Sequence, residues 1–449
     1  MKSTTDLNMV NAYIPGRADV GPVTAGMIER RDTLLGPAYR LMYEHPLHIV
    51  RGEGAWLIDA EGRRYLDVYN NVTSLGHCHP AVSEAICAQV QTLATNTRYL
   101  HETILELAER LLATVSETAL AHLMLTCTGS EANDLAYRIA KVRTGGTGII
   151  VTETAYHGIT DTVSQFSPSL GVDVDLGPHV RLVPAPCQYH ANGEDLGERF
   201  TQDVQAAIAD LQRHGIKPAV LIVDSLFTSD GILPGSKGFL KGAVEAIKLA
   251  GGLFIADEVQ PGFGRTGEHM WGFQRHGVMP DIVTLGKPMG NGQPIAGLLA
   301  TADVLAEFGQ RSRYFNTFAG NTVSCAAAVA VLKTIENEGL IAHARHVGNV
   351  LLNGISALCA RHPTIGDVRG AGLFVGVELV ADRQSRTPDR WLTNQVVNLM
   401  RQKGVLISAC AKGHNVLKIR PPLILTEEQA GTVIEVLDQA LTEASAARA

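Results

Sequence analysis

No window of about eighteen consecutive apolar residues occurs in this 449-residue chain, so no segment reads as a membrane-spanning helix. The first twenty residues, MKSTTDLNMVNAYIPGRADV, carry neither the apolar stretch nor the cleavage signal of a secretory leader, and a cytoplasmic location is expected. Basic runs are missing too. Lys and Arg number 38 against 45 acidic residues, the net charge is -7 and the signs are mixed, which sets nucleic acid aside as a partner. Cysteine is sparse. Seven scattered residues, an odd number, suit free thiols in a reducing compartment better than a disulfide framework. His77-Cys78-His79 hints at zinc, but no partner CxxC or HxxxH accompanies it, so no metal is expected. Internal repeats and low-complexity stretches are absent as well.

Glycine is plentiful, at 45 residues, as in chains with many tight turns between strands and helices. The length exceeds one ordinary domain. The pattern predicts three segments forming two domains: an N-terminal segment (1–75), a large domain (76–335) and a C-terminal segment (336–449) that forms a smaller domain with the first. Residues 1–40 read as polar and irregular, broken by Pro15 and Gly16. AWLI and YLDV flank the turn DAEGRR as two strands, and AVSEAICAQVQTLA and ILELAERLLATV have helical periodicity. From residue 120 the β-rich runs HLMLT, GIIVT, AVLIVD, LFIADEV and DIVTLG alternate with helical stretches such as EANDLAYRIAKVR and LKGAVEAIKLA. That alternation predicts an α/β fold with a mostly parallel, doubly wound sheet. Beyond CAAAVAVLKTIENEGL, helix mixed with short strands (GLFVGVELV, GVLISA, VLKIR) predicts a smaller α+β domain.

Three motifs carry chemistry. In TCTGSEAN (126–133) a strand ends, Gly129 and Ser130 turn the chain, and a helix opens near Glu131. A helix N-terminus with free N–H groups and a hydroxyl suits a phosphate, although an ordinary Ser cap explains the same letters. LFIADEVQ (253–260) delivers Asp257 to a strand's carboxyl end, where open α/β sheets place ligands. A buried Asp needs a cationic or donor partner, and a protonated pyridine nitrogen is one; a helix cap is the plainer alternative. Val259 shares the face of Asp257, because strands have a period of two, and an apolar residue there suits the underside of a flat ring. TLGKPMGNG (284–292) places Lys287 after a strand and among glycines. A lysine in a partly dry pocket becomes a nucleophile toward aldehydes, whereas a solvated loop lysine is the common case. This is no nucleotide-binding P-loop, since Asp281 occupies the first glycine's place. AYHG (155–158) adds the aromatic face of Tyr156 at a strand end, and FNTFAGN (315–321) adds the hydroxyl of Thr317.

Taken in order, TGSEAN, AYHG, IADEVQPGFGRTG, TLGKPMGNG and NTFAGN resemble the class III aminotransferases, a fold-type I family of pyridoxal 5′-phosphate (PLP) enzymes, over essentially the whole chain. The resemblance implies a Schiff base between PLP and Lys287, and Asp257 against the pyridine nitrogen. It implies Val259 and Tyr156 on the two faces of the ring and Gln260 near the ring oxygen. Gly129 and Ser130 would hold the phosphate, and AYHG would bring His157 into the same cofactor site. It further implies a homodimer with active sites at the interface, where Thr317 reaches the neighbouring subunit's cofactor phosphate.

Within the class, RDTLLGP (31–37), NNVTSLGHCHP (70–80) and NVLKIRPP (415–422) are similar to the ethanolamine-phosphate phospho-lyases. Ornithine- and GABA-type members carry a Glu–Arg gate. Here Ser229 stands at the Glu position and Lys418 at the Arg position, while Asp224 replaces a usual Glu. A planar guanidinium fork fits a carboxylate; an ammonium is a point charge. The resemblance therefore implies elimination of phosphate from O-phosphoethanolamine, giving acetaldehyde, ammonia and phosphate. 5-Phosphohydroxylysine is a related phosphorylated amine. The competing readings are an aminotransferase and a non-catalytic PLP-fold binding module. Lys418, Arg420 and Arg265 are the candidate cations for the substrate phosphate.

Overall fold

The computed structural model describes residues 9–171 and 174–448. Of the N-terminal stretch expected to be irregular, residues 1–8 lie outside the described part, and the remainder contains a helix, α1 (Pro22–Leu35). Pro at its start and Gly36 at φ 70° just past its end punctuate it in the usual way. It buries none of its own residues. A helix that packs no face on its own chain carries no apolar stripe, which is why periodicity missed it.

Strands β1 (Ile49–Glu53), β2 (Trp56–Asp59) and β3 (Arg64–Asp67) follow as an antiparallel set, and then α2 (Pro80–Thr92) and α3 (Glu102–Ala113). The large sheet is built from β4 (Leu120–Thr126), α4 (Gly129–Thr144), β5 (Gly148–Thr152), α5 (Asp161–Ser164), β6 (Val180–Val183), α6 (Leu196–Arg213), β7 (Pro218–Asp224), α7 (Lys241–Leu249), β8 (Leu253–Asp257), β9 (Ile282–Leu285) and β10 (Ala296–Thr301). Its order is β4-β10-β9-β8-β7-β5-β6. β5 to β9 pair in parallel, whereas β10 runs antiparallel to both β9 and β4. Two reversals restore direction, so β4 points the same way as the parallel block.

Helices cover both faces, and the strand residues divide accordingly. On β7, Leu221 and Val223 enter one apolar core while Val220 and Ile222 enter the other; on β8, Phe254 and Ala256 oppose Ile255. The two-residue strand period makes that division, and burial on both sides explains why these runs are continuously apolar. The chain continues through α8 (Ala302–Arg311), the Ala-rich α9 (Thr322–Asn337), α10 (Leu340–Leu358), β11 (Ile365–Gly370), β12 (Val375–Asp382), β13 (Thr387–Pro388), α11 (Arg390–Gln402), β14 (Val405–Leu406), β15 (Ser408–Cys410), β16 (Val416–Ile419) and α12 (Glu427–Ala446). β14 pairs in parallel with β3, joining the two ends of the chain in one sheet, while β11, β12, β16 and β15 form another. No helix among the described residues is long and apolar enough to cross a membrane.

Candidate active site

The carboxyl ends of β4, β5, β7, β8 and β9 open on one edge of the large sheet. Asp224 and Asp257 are the last residues of β7 and β8, Lys287 follows β9 by two residues, and Tyr156 and His157 follow β5. After β4 the chain enters α4. Its cap is Thr128, whose hydroxyl accepts from Glu131 N at 3.2 Å, while the Glu131 carboxylate accepts from Cys127 N and Thr128 N at 2.7 and 3.0 Å. Capping therefore falls to Thr128 rather than Ser130. The hydroxyl of Ser130 instead accepts from Ile159 N at 3.1 Å, and the first-turn N–H groups of Gly129 and Ser130 have no intrahelical acceptor.

These ends surround a cavity of about 90 Å³ lined by Gly129, Ser130, Tyr156, His157, Gly158, Asp224, Asp257, Val259, Gln260 and Lys287. Glycine keeps it open. A Cβ on Gly158, at φ 141°, would sit 2.5 Å from Ser130 Oγ, and one on Gly129 would meet both Val259 methyls at 3.0 Å.

Asp257 is buried, and its oxygens are well occupied. Oδ2 accepts from Asn133 Nδ2 at 2.9 Å and lies 2.7 Å from His157 Nδ1, while Oδ1 accepts from Val259 N at 3.0 Å. A carboxylate only accepts, so His157 carries its proton on Nδ1, and its Nε2 is left without a partner. Lys287 Nζ lies 5.9 Å from the Tyr156 ring centre. Burial, then the charge of Arg420, lowers its pKa to about 8. Its amine is thus far closer to neutral than a solvated lysine, as a nucleophile toward an aldehyde must be. Burial, with the Asp257 charge adding, pushes the Asp224 carboxyl upward.

The residues expected at a cofactor all meet here except Thr317. That residue is exposed, on a loop whose Asn316 Nδ2 donates to Glu131 Oε1 at 3.3 Å, beside the N-terminus of α4. Asp224 was seen in the sequence only as a departure from pattern. The signal for its place was present, because AVLIVD ends in Asp at a strand terminus just as LFIAD does.

The candidate cations differ sharply. Arg420 is buried; its Nη1 donates to Gln260 Oε1 at 2.5 Å, and its guanidinium lies 4.4 Å from the Tyr69 ring centre. Lys418 is buried with Nζ donating to the Thr228 carbonyl at 2.9 Å, and burial pushes its pKa down to about 7. Arg265, 1% exposed, donates to the carbonyls of Leu373 and Pro421.

His77 Nε2 lies 2.9 Å from Asp67 Oδ2, a structural pair. Away from the cavity, Cys187, His190 and Glu378 bring ligand-type atoms within 4.8 Å of one another, but Arg369 donates to Glu378 at 2.7 Å, and that charge opposes a bound cation.

Comparison with known proteins fits this architecture. The family described as Aminotransferase class-III matches residues 39–441. The chain is 39% identical over 429 residues to a Drosophila melanogaster protein named alanine–glyoxylate aminotransferase 2-like, covering 92% of this chain and 86% of that one. It is 34% identical over 436 residues to ethanolamine-phosphate phospho-lyase homolog 1 of Caenorhabditis elegans, covering 93% of each. Among solved structures, a phospholyase from Arthrobacter in complex with phosphoethanolamine superposes with a TM-score of 0.89 at 43% identity, over 93% of this chain and 99% of that one.

Proposed function

The chain belongs to the class III aminotransferase family and has its fold, fold type I of the PLP enzymes, and from that premise we propose that it is a PLP-dependent phospho-lyase acting on O-phosphoethanolamine. The observation that carries the proposal is its 43% identity to a phospholyase solved with phosphoethanolamine. The loss of the carboxylate gate at Ser229 and Lys418 points the same way, since Lys418 offers one ammonium, directed at a carbonyl, in place of a fork.

The residues lining the cavity suit PLP: Lys287 would be the covalent anchor, and Val259 and Tyr156 would flank the ring. The glycine-cleared start of α4, at Gly129 and Ser130, takes the phosphate. Asp257, held by Asn133 and His157, would face the pyridine nitrogen, and Gln260 would stand near the ring oxygen. When bound, PLP supplies an aldehyde handle for the amine and a sink for the electron pair left on its carbon. With PLP bound, Lys287 would take the proton from the amine-bearing carbon of the substrate. Phosphate then leaves the neighbouring carbon, and water converts the remaining two-carbon fragment to acetaldehyde and ammonia. Thr317 completes the phosphate site of a partner subunit in a homodimer.

The second reading, transamination to a keto acid, is favoured by the aminotransferase names of several relatives. Release of inorganic phosphate from phosphoethanolamine with no keto acid present decides between them.

A further inference from the structure

Asn133 does not line the cavity, yet it bonds to two residues that do. It is 1% exposed. Its Nδ2 donates to the His157 main-chain carbonyl at 2.7 Å and to Asp257 Oδ2 at 2.9 Å. A carbonyl and a carboxylate only accept, so both amide hydrogens are spent and the orientation of the amide is fixed. Its Oδ1 has no partner among the described residues. A buried acceptor left unmet costs free energy, so the fold holds this amide for its donors and not for its own satisfaction.

Those donors join three elements. Asn133 stands on α4, four residues after Gly129 and three after Ser130. That spacing is one helical turn, about 5.4 Å of rise, and it puts Asn133 on the helix face of Gly129 and Ser130. His157 belongs to the segment after β5, and Asp257 closes β8. The first turn of α4 is sewn to the same segment at a second point, where Ser130 Oγ accepts from Ile159 N at 3.1 Å and a Cβ on Gly158 would strike Ser130. His157 Nδ1 lies 2.7 Å from the Asp257 oxygen that Asn133 also meets. Asn133 therefore bonds both to the carboxylate and to the main chain of the residue that supplies the other donor on Oδ2. Two donors fill that oxygen, whereas Oδ1 receives only Val259 N, at 3.0 Å, and keeps room for one more.

We infer that Asn133 is a positioning residue: from the helix whose start takes the cofactor's phosphate, it aims Asp257 at the pyridine nitrogen and leaves Oδ1 as the oxygen that meets it. The inference rests on the PLP reading and is independent of the substrate. One side chain then sets the spacing between the two ends of the cofactor site, over a sequence separation of 124 residues. It also gives the last letter of TGSEAN a use that capping and phosphate binding do not require.

The test needs no turnover. Cofactor-free protein is titrated with PLP and with its deaza analogue, in which carbon replaces the pyridine nitrogen while the aldehyde and the phosphate remain. The ratio of the two Kd values reads the contact of Asp257 with that nitrogen. Asn133→Leu keeps much of the side-chain volume and removes both donors. It is expected to cut the preference for PLP over the analogue by roughly tenfold, the worth of one hydrogen bond to a charged group. A merely structural residue would weaken both cofactors alike, so an unchanged ratio overturns the inference. If Asn133→Leu does not fold, Asn133→Ala is read by the same ratio, with the same consequence. A wild-type protein that shows no preference for PLP would overturn the pyridine contact itself, a failure of the premise that no Asn133 variant is needed to detect.

Discussion

Asp224 and Asp257 are register partners, the final residues of two parallel strands, side by side at the mouth of the cavity. Their surroundings divide them. Asp257 is held from three directions by Asn133, His157 and Val259, with a proton donor on each. Asp224 is bound mainly by its own turn, through Leu226 N at 3.0 Å and the Thr228 hydroxyl, and its carboxyl is pushed up by burial. Asp257 is the carboxylate better supplied with donors, and burial pushes the carboxyl of Asp224 upward.

Asp257→Asn keeps the shape of that anion and removes its charge. Turnover should fall by roughly 10³-fold, because the charge is aimed where positive charge must persist in the transition state. Asp224→Asn mimics a protonated carboxyl and should cost roughly tenfold or less. Single-turnover phosphate release measures both, and a loss under tenfold in Asp257→Asn would remove Asp257 from the role of pyridine partner.

Lys287→Ala should lose both turnover and the cofactor adduct trapped by borohydride; trapping at another lysine would refute the anchor. The lowered pKa adds a pH dependence. A nucleophilic amine must be neutral, and the neutral fraction of Lys287 rises through about pH 8. A solvated lysine would rise through about 10.4. The rate of PLP attachment to cofactor-free protein should therefore reach half its maximum near pH 8. A midpoint near 10 would show a lysine open to water.

Thr317 is expected to act across a subunit boundary. Cofactor retention should then fall as the dimer is diluted, and Thr317→Val should release PLP more readily in gel filtration without altering the dimer's own dissociation. Full PLP occupancy in a demonstrated monomer would rule the contact out.

Which parts of this were legible in the sequence follows from what each depends on. The strands ending in Asp257 and before Lys287 were readable because burial on both faces writes itself as a continuous apolar run, and a charged residue closing such a run must find a use. β10 was not read, since AGLLAT sits directly behind the glycine-rich loop and nothing local tells an antiparallel return from a parallel crossover. α1 was missed because it buries nothing on its own chain. The three candidate cations looked alike on paper. What separates them is which carbonyl or side chain the rest of the fold brings to each head group, over sequence separations such as 190 residues for Lys418 to Thr228 and 160 for Arg420 to Gln260.

Lys418 should also leave a mark on stability. Its pKa is about 7 when folded and near 10.4 when unfolded, so between those values the unfolded chain binds more protons. Stability then rises with pH across that window and loses this contribution below it. Lys418→Met removes the group that titrates. Denaturant unfolding of the cofactor-free protein should show wild type gaining on the variant from pH 7 to pH 9; parallel curves would mean that Lys418 keeps its charge when folded.

The last prediction separates elimination from transamination. Both begin with removal of the proton from the amine-bearing carbon, and they part over what that carbon's electron pair does next. Phosphate leaves readily, because its remaining proton titrates near pKa ~6. Hydroxide, whose parent water has a pKa of about 15.7, does not. Phosphoethanolamine should therefore yield phosphate and acetaldehyde in equal amounts over many turnovers with no keto acid added, whereas ethanolamine should yield neither. The absorbance of bound PLP should persist throughout instead of bleaching to that of the amine form of the cofactor. If turnover instead requires pyruvate or 2-oxoglutarate and the cofactor alternates between its aldehyde and amine forms, the enzyme is an aminotransferase, and the buried cations serve the acceptor's carboxylate rather than a phosphate.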